Sequence, residues 1–310
     1  MSADYLVKAK FDTGEVTLNY AEGPDAGPRL VLLHGGSARW QYFETILPEL
    51  AARWHVFAPD LRGHGGSGRT PGRYTLRDYA DDIAAFLQKV SGPASLFGHS
   101  LGGMVALMTA ERCPDWVNAV VVGDSPLDAG AWRARIDDRQ RAQIRSWQAL
   151  AGGGHSIKEI MASLRDSPVM VPGQPLPRRM RDVYADDADI YGHLAGRLYH
   201  NDPEMIGMML DHFEQVMAGY DLKALGPAIE CPVLLLQADA ALGSATTDEE
   251  VAQARACLRQ ARHRRFPGLS HLLFIEDKAA VLEAVEGFLI EVEEGDDVGV
   301  CGYMDKMGLE

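Results

Sequence analysis

Short apolar runs that end in Gly or Asp alternate along this chain with longer stretches of helical spacing. Residues 30–33 lead into His34-Gly35-Gly36, 54–58 into Pro59-Asp60, 94–97 into Gly98, 117–122 into Gly123-Asp124 and 233–236 into Gln237. That rhythm belongs to parallel strands joined by crossover helices. Two N-terminal stretches, 5–11 and 16–20, alternate in polarity residue by residue and predict an antiparallel hairpin at one sheet edge. Between strands, Leu76, Tyr79, Ala80, Ile83, Phe86, Leu87 and Val90 follow the spacing of one buried helix face, with Thr75 and Asp78 placed to cap its start. A last helix over about 277–290 turns Val281, Val285, Phe288 and Leu289 inward.

Residues 127–230 break the pattern. They hold helical patches, Gly152-Gly153-Gly154, a Pro-rich segment (168–177) and seven methionines (Met161, Met170, Met180, Met205, Met208, Met209, Met217), but no convincing strand. The chain therefore divides into a core (1–126 and 231–293), a helical cap or lid (127–230) and an acidic, Gly-rich tail (294–310) without period, read as frayed. The methionines predict core packing, with a pliable apolar lid surface as their second use.

Composition narrows the function. The 310 residues carry 30 Lys and Arg against 44 Asp and Glu, a net charge of −14. No basic stripe offers phosphate backbones a partner, so nucleic acid is not expected. The N-terminus lacks the basic-then-apolar order of a secretory signal, and no apolar stretch approaches membrane-spanning length, so neither a membrane nor export is expected and the cytoplasm is. Cys113, Cys231, Cys257 and Cys301 are widely spaced and predict reduced thiols.

The chemistry concentrates at Gly98-His99-Ser100-Leu101-Gly102-Gly103, between an apolar strand and a helical run. A serine there can be held on a tight turn, where the flanking glycines remove clashes and a helix N-terminus faces developing negative charge. His34-Gly35-Gly36 after the third strand, Asp60-Leu61-Arg62-Gly63-His64-Gly65-Gly66-Ser67 after the fourth, and Gly268-Leu269-Ser270-His271 before the last helix stand in the same order as in a known family. From about residue 30 to 290 the chain resembles the α/β-hydrolase superfamily: a mostly parallel central sheet with a helical cap, carrying a cap-containing serine hydrolase or esterase site.

The resemblance implies Ser100 as nucleophile and His271 as general base, since a serine hydroxyl attacks well only when an imidazole takes its proton. It implies the backbone N–H groups of Gly36 and Leu101 as the oxyanion hole. The sequence reads His-Gly-Gly-Ser rather than the His-Gly-Gly-Gly of one lipase and esterase branch, which argues against that branch. His34 and His99 are expected to pack or shape loops. For the acid, the usual position at the end of the seventh strand holds Ala241. Asp124, after the sixth strand, is favoured, and Asp239 is the alternative.

Gly63 to Gly68 matches G-x-G-x-x-G but opens no helix, so a dinucleotide is not expected. There is no Walker loop, no H-E-x-x-H motif, and no ligand spacing at His193, His200 or His212; neither cofactor nor metal is expected. The expected activity is hydrolysis of a small to medium, largely apolar carboxylic ester through an acyl-enzyme on Ser100. Lactone or C–C bond hydrolysis and perhydrolysis on the same triad remain alternatives, as does a small-molecule receptor with vestigial activity.

Overall fold

The computed structural model describes residues 6–169 and 178–307, with side chains as far as residue 295. Eight strands form one sheet: β1 (Val7–Asp12), β2 (Thr17–Glu22), β3 (Arg29–Leu33), β4 (His55–Pro59), β5 (Ala94–His99), β6 (Val117–Gly123), β7 (Val233–Gln237) and β8 (Ala261–Arg265). They lie in the order β1-β2-β4-β3-β5-β6-β7-β8. The β1–β2 hairpin is antiparallel and joins β4 antiparallel, while every other pairing is parallel. This is the α/β-hydrolase fold.

The central strands are mostly apolar, without polar alternation, because both sheet faces are covered. Val31 and Leu33 point into a core shared with α1 (Leu76–Phe86) and α2 (Leu101–Arg112), whereas Leu30 and Leu32 point to the opposite core with Phe43, Trp54, Val281 and Val285. Thr75 and Asp78 form the expected capping box at the start of α1. Helix α2 is buried on almost every side from Leu101 to Ala110, which explains its nearly uniform apolarity.

Between β6 and β7 the chain forms helices Ala129–Arg135, Asp138–Leu150, Ile157–Asp166, α3 (Ala188–His200) and Pro203–Asp211, with shorter turns. One feature was not expected there, an antiparallel pair of two residues each, Pro168–Val169 with Arg178–Arg179. The remainder of the Pro-rich segment, including Met170, lies outside the described residues. Met180, Met205, Met208 and Met217 are buried in this segment's own packing with Ile160, Leu164 and Tyr191.

The final helix, α4 (Lys278–Met307), corrects the expectation of a frayed tail from residue 294. Propagating a formed helix is far easier than starting one, and nothing after Leu289 breaks it: the stretch has no proline. The indole Nε1 of Trp54 donates to Glu293 at 2.6 Å and ties the helix to the core beyond its last apolar turn. Residues 308–310 lie outside the described residues. Cys113, Cys231 and Cys257 are free thiols, and among the described residues no helix is long and apolar enough to cross a membrane.

Candidate active site

Parallel strands present their carboxyl ends on one side, and in open α/β sheets that is where loops build ligand sites. β5 and β6 pair with His99 opposite Gly123, so the next residues, Ser100 and Asp124, leave adjacent strand ends side by side. Both have left-handed backbone, φ +54° at Ser100 and φ +42° at Asp124. For residues with a Cβ such a conformation costs about 1–3 kcal/mol and persists where surroundings impose it.

At Ser100 the surroundings are a turn too tight for side chains. A Cβ on Gly98 would lie 2.1 Å from the Gly102 carbonyl oxygen, and one on Gly102 would lie 2.0 Å from that of Leu33. The two glycines of G-x-S-x-G are therefore what lets α2 pack directly on β5 and β3. The Ser100 N–H is held by the Gly123 carbonyl at 2.9 Å. Leu101 opens α2, where its N–H has no carbonyl one turn back. The Gly36 N–H has no acceptor among the described residues, and a Cβ on Gly36 would meet nothing within 4 Å. Gly35 is packed instead: a Cβ there would lie 3.2 Å from the Ser100 Cβ.

Asp124 is fully buried and receives four donors. Its Oδ1 accepts from the Ala238 N–H at 3.0 Å and the Ser244 hydroxyl at 2.6 Å; its Oδ2 accepts from the Ala245 N–H at 2.9 Å and His271 Nδ1 at 2.6 Å. Burial by itself would raise this carboxyl. The bond and charge of His271, with the bonds from Ser244 and Ala245, outweigh it and hold Asp124 below the usual carboxylate range. Because Nδ1–H is committed to Asp124, the neutral His271 ring carries its free lone pair on Nε2. Among the described residues the Ser100 hydroxyl has no hydrogen-bond partner, so no Ser100–His271 bond is closed; such bonds commonly tighten only when substrate is bound.

Three neighbours fix the loop that carries His271. His99 Nε2 donates to the His271 carbonyl at 2.8 Å, and the two rings lie 4.5 Å apart. Asp239 accepts from Gly268 and Ala241, each at 2.9 Å, and Glu276 accepts the Ser270 N–H at 2.7 Å. Asp239 makes no bond to His271: it shapes the loop and does not touch the imidazole. Burial, then the nearby His271 charge, lowers His99 to about 3, so it is neutral at pH 7.

The Gly36 loop is held from below. His34 donates Nδ1–H to the Gly35 carbonyl at 2.8 Å and accepts the Leu61 N–H at 3.0 Å; His64 donates to the Arg62 carbonyl at 2.9 Å and accepts the Ser37 N–H at 3.2 Å. Burial lowers the two rings to about 4 and about 3 respectively. Both are neutral spacers of fixed tautomer. Asp60 completes the support by accepting from Trp40 N–H, Gly66 N–H and the Asn19 amide. The stretch that matches G-x-G-x-x-G thus serves as a loop scaffold.

Residues 30–284 match the alpha/beta hydrolase family. The chain belongs to that family. This alpha/beta hydrolase is 36% identical over 161 residues to 2-(acetamidomethylene)succinate hydrolase of Mesorhizobium japonicum, a match covering 49% of the chain and 58% of that relative. It is 30% identical over 227 residues to the pimeloyl-(acyl-carrier protein) methyl ester esterase of Chromobacterium violaceum, covering 70% and 77%. The first match thus spans little more than half the length of that relative. The crystal structure of E-2-(acetamidomethylene)succinate hydrolase superposes with a TM-score of 0.70 at 22% identity, over 92% of this chain and 99% of that one. A thermophilic esterase from Thermogutta terrifontis, solved with malate bound, gives 0.65 at 23% identity over 92% and 99%. The two superpositions bear on the fold of this hydrolase.

Residues absent from the sequence reading also shape its site. Ser244 and Ala245 hold Asp124 but sit in a loop whose path no periodicity reveals. Arg39 and Arg197 approach the Gly36 loop, the second from α3 of the inserted segment. Met208, by contrast, lines a surface groove with Gly72, Gln148, Glu204 and His212. The groove includes none of the site residues.

Proposed function

We propose that this protein is a serine hydrolase that cleaves an ester of a small to medium carboxylic acid through an acyl-enzyme on Ser100. The observation that carries the reading is the 2.6 Å bond between His271 Nδ1 and the buried Asp124 carboxylate, beside a serine held at φ +54° on a strand-to-helix turn. Orientation of the imidazole by a carboxylate, and exposure of a nucleophile on a strained turn, are the two elements such chemistry needs.

In this mechanism Ser100 Oγ attacks the substrate carbonyl carbon while His271 Nε2 takes the hydroxyl proton. Asp124 stays ionised and stabilises the imidazolium. The carbonyl oxygen, now negative, is received by the N–H groups of Leu101 and Gly36. Collapse breaks the bond to the alcohol, which leaves with the proton from His271. Water then enters by the same steps and releases the acid.

A succinate-derivative hydrolase and a methyl ester esterase among the relatives support hydrolysis, and the second supports an ester as the bond cleaved. The segment 127–230 is proposed as a lid, because it leaves the sheet at the strand end that carries Asp124 and sends Arg197 back to the Gly36 loop. The test is turnover of p-nitrophenyl esters of increasing chain length, with Ser100→Ala as the control. Saturable hydrolysis that the variant loses by several orders of magnitude supports the reading. Equal rates for the two proteins would remove Ser100 from the mechanism.

A further inference from the structure

Two cations beside the Gly36 loop have no use in the chemistry just described. Arg197, half-buried on α3, donates Nε–H to the Ser37 carbonyl at 2.8 Å, one residue beyond Gly36. That bond is its only one to the protein among the described residues. The side chain of Arg39, on the loop that leaves Ser37, has neither hydrogen bond nor ion pair among them; only its backbone carbonyl is bonded, accepting the Tyr42 N–H at 2.9 Å. Its guanidinium lies against α3 where Gly196 leaves room: a Cβ there would be 3.5 Å from Arg39 Nη2.

The two charges act on each other unfavourably, and among the described residues no aspartate or glutamate acts on Arg197. This is unusual in a chain with an excess of 14 negative charges, whose other buried guanidinium, Arg62, is held bidentately by Asp82. Two like charges brought together out of bulk water are costly unless an anion joins them. Arg197 also lies within electrostatic reach of the site: its charge acts on Tyr42, His34, His64 and His99. The Tyr42 ring lies 5.0 Å from that of His99, and the His99 ring 4.5 Å from that of His271, each pair tilted. With Nε committed to Ser37, the outer edge of the guanidinium still offers two parallel N–H groups, the geometry that grips a carboxylate.

We propose that Arg197 and Arg39 form a carboxylate subsite beside the Gly36 loop, so that the acyl group transferred to Ser100 ends in a second carboxylate. The substrate class is then a half-ester of a dicarboxylic acid, in place of the largely apolar ester that the sequence suggested. The inference rests on the serine-hydrolase reading for the bond cleaved, while the anion site stands on the arginines themselves.

The experiment compares kcat/KM for p-nitrophenyl hemiglutarate and p-nitrophenyl valerate, of equal acyl length, in the unmodified protein, Arg39→Gln and Arg197→Gln. The quantity read is the ratio of the two values. A charge-assisted pair lost from the anionic substrate alone lowers that ratio by about 10- to 100-fold in each variant. If Arg197 merely clamps α3 to the loop, both substrates lose equally and the ratio stays fixed, which overturns the proposal; so does an unmodified protein that favours valerate. The Arg39 side chain makes no bond among the described residues, so its variant separates charge from folding. Calorimetric titration with glutarate reads the subsite without turnover. Binding by the unmodified protein that weakens in both variants sustains the subsite even if neither ester is cleaved and the hydrolase reading fails. No glutarate binding, or equal binding by all three proteins, refutes it.

Discussion

Replacing Asp124 with Asn separates an orienting acid from a merely structural one. The carboxylate accepts on both sides, from Ala238 N–H and Ser244 at Oδ1 and from Ala245 N–H and His271 at Oδ2. An amide has one oxygen. With its nitrogen at the Oδ2 position it confronts Ala245 N–H and accepts no proton from the imidazole, which is driven to the tautomer protonated on Nε2 and cannot act as base. Turned over, it confronts Ala238 N–H and still has no charge to stabilise the imidazolium. Either way one buried N–H loses its acceptor, at about 1–3 kcal/mol of stability. Catalysis falls much further, by up to about 10⁴-fold in kcat, through the wrong tautomer. The assay is p-nitrophenyl ester turnover per mole of folded protein, with the folded fraction taken from thermal melts. Asp239→Asn is the control: its carboxylate meets only the Gly268 and Ala241 N–H groups, so kcat stays within roughly tenfold. A collapse in Asp239→Asn with Asp124→Asn near normal would refute the reasoning, as would an Asp124→Asn loss no larger than its unfolded fraction.

Acid should destabilise the fold well above the range in which carboxylates titrate. His34, His64 and His99 are buried neutral at about 4, 3 and 3, whereas in the unfolded chain they bind protons from about pH 6.5 downward, so stability falls as pH drops from 6.5 towards 4. Each contributes roughly 3 kcal/mol at most, Asp60 and Asp82, raised chiefly by burial, act in the opposite sense at the acid end, and a melting temperature unchanged between pH 7 and 4.5 would contradict the sign. Asp82→Ala leaves the Arg62 guanidinium buried with only the Arg73 carbonyl and a 3.6 Å approach to each of Asp78 and Glu15; a loss of about 3 kcal/mol in denaturant unfolding is expected, and a loss below about 0.5 kcal/mol would show that the pair is dispensable.

Strand positions were legible because both faces of the central sheet are buried, which turns β3, β5 and β6 into continuous apolar runs with glycine or acid at their ends. Ser100 was legible because a turn so tight that a Cβ at 98 or 102 would come within about 2 Å of a neighbouring carbonyl oxygen leaves only glycine there. Asp124 became visible through a mismatch: Ala241 stands where the seventh strand usually supplies an acid, and the structure uses the backbone of that region, at Ala238 and Ala245, to hold the carboxylate from β6. The helical extent of α4 was not legible, since an acidic stretch without an apolar period gives no sign that a helix already formed continues. Arg39 and Arg197 were hidden for a different reason. The docking of α3 on the Gly36 loop depends on tertiary packing of an inserted segment, and no spacing along the chain reports which arginines that packing leaves without an acid.

The central claim is that the acyl group is transferred to Ser100, and mass spectrometry of the intact protein tests it most directly. Reaction with a fluorophosphonate, or rapid acid quench during turnover of a p-nitrophenyl ester, should add one phosphonyl or acyl mass, which peptide mapping places on Ser100. Ser100→Ala should acquire none, and Asp124→Asn should acquire it far more slowly. Turnover of the ester with no adduct at Ser100, or an adduct of equal yield in Ser100→Ala, would contradict the account.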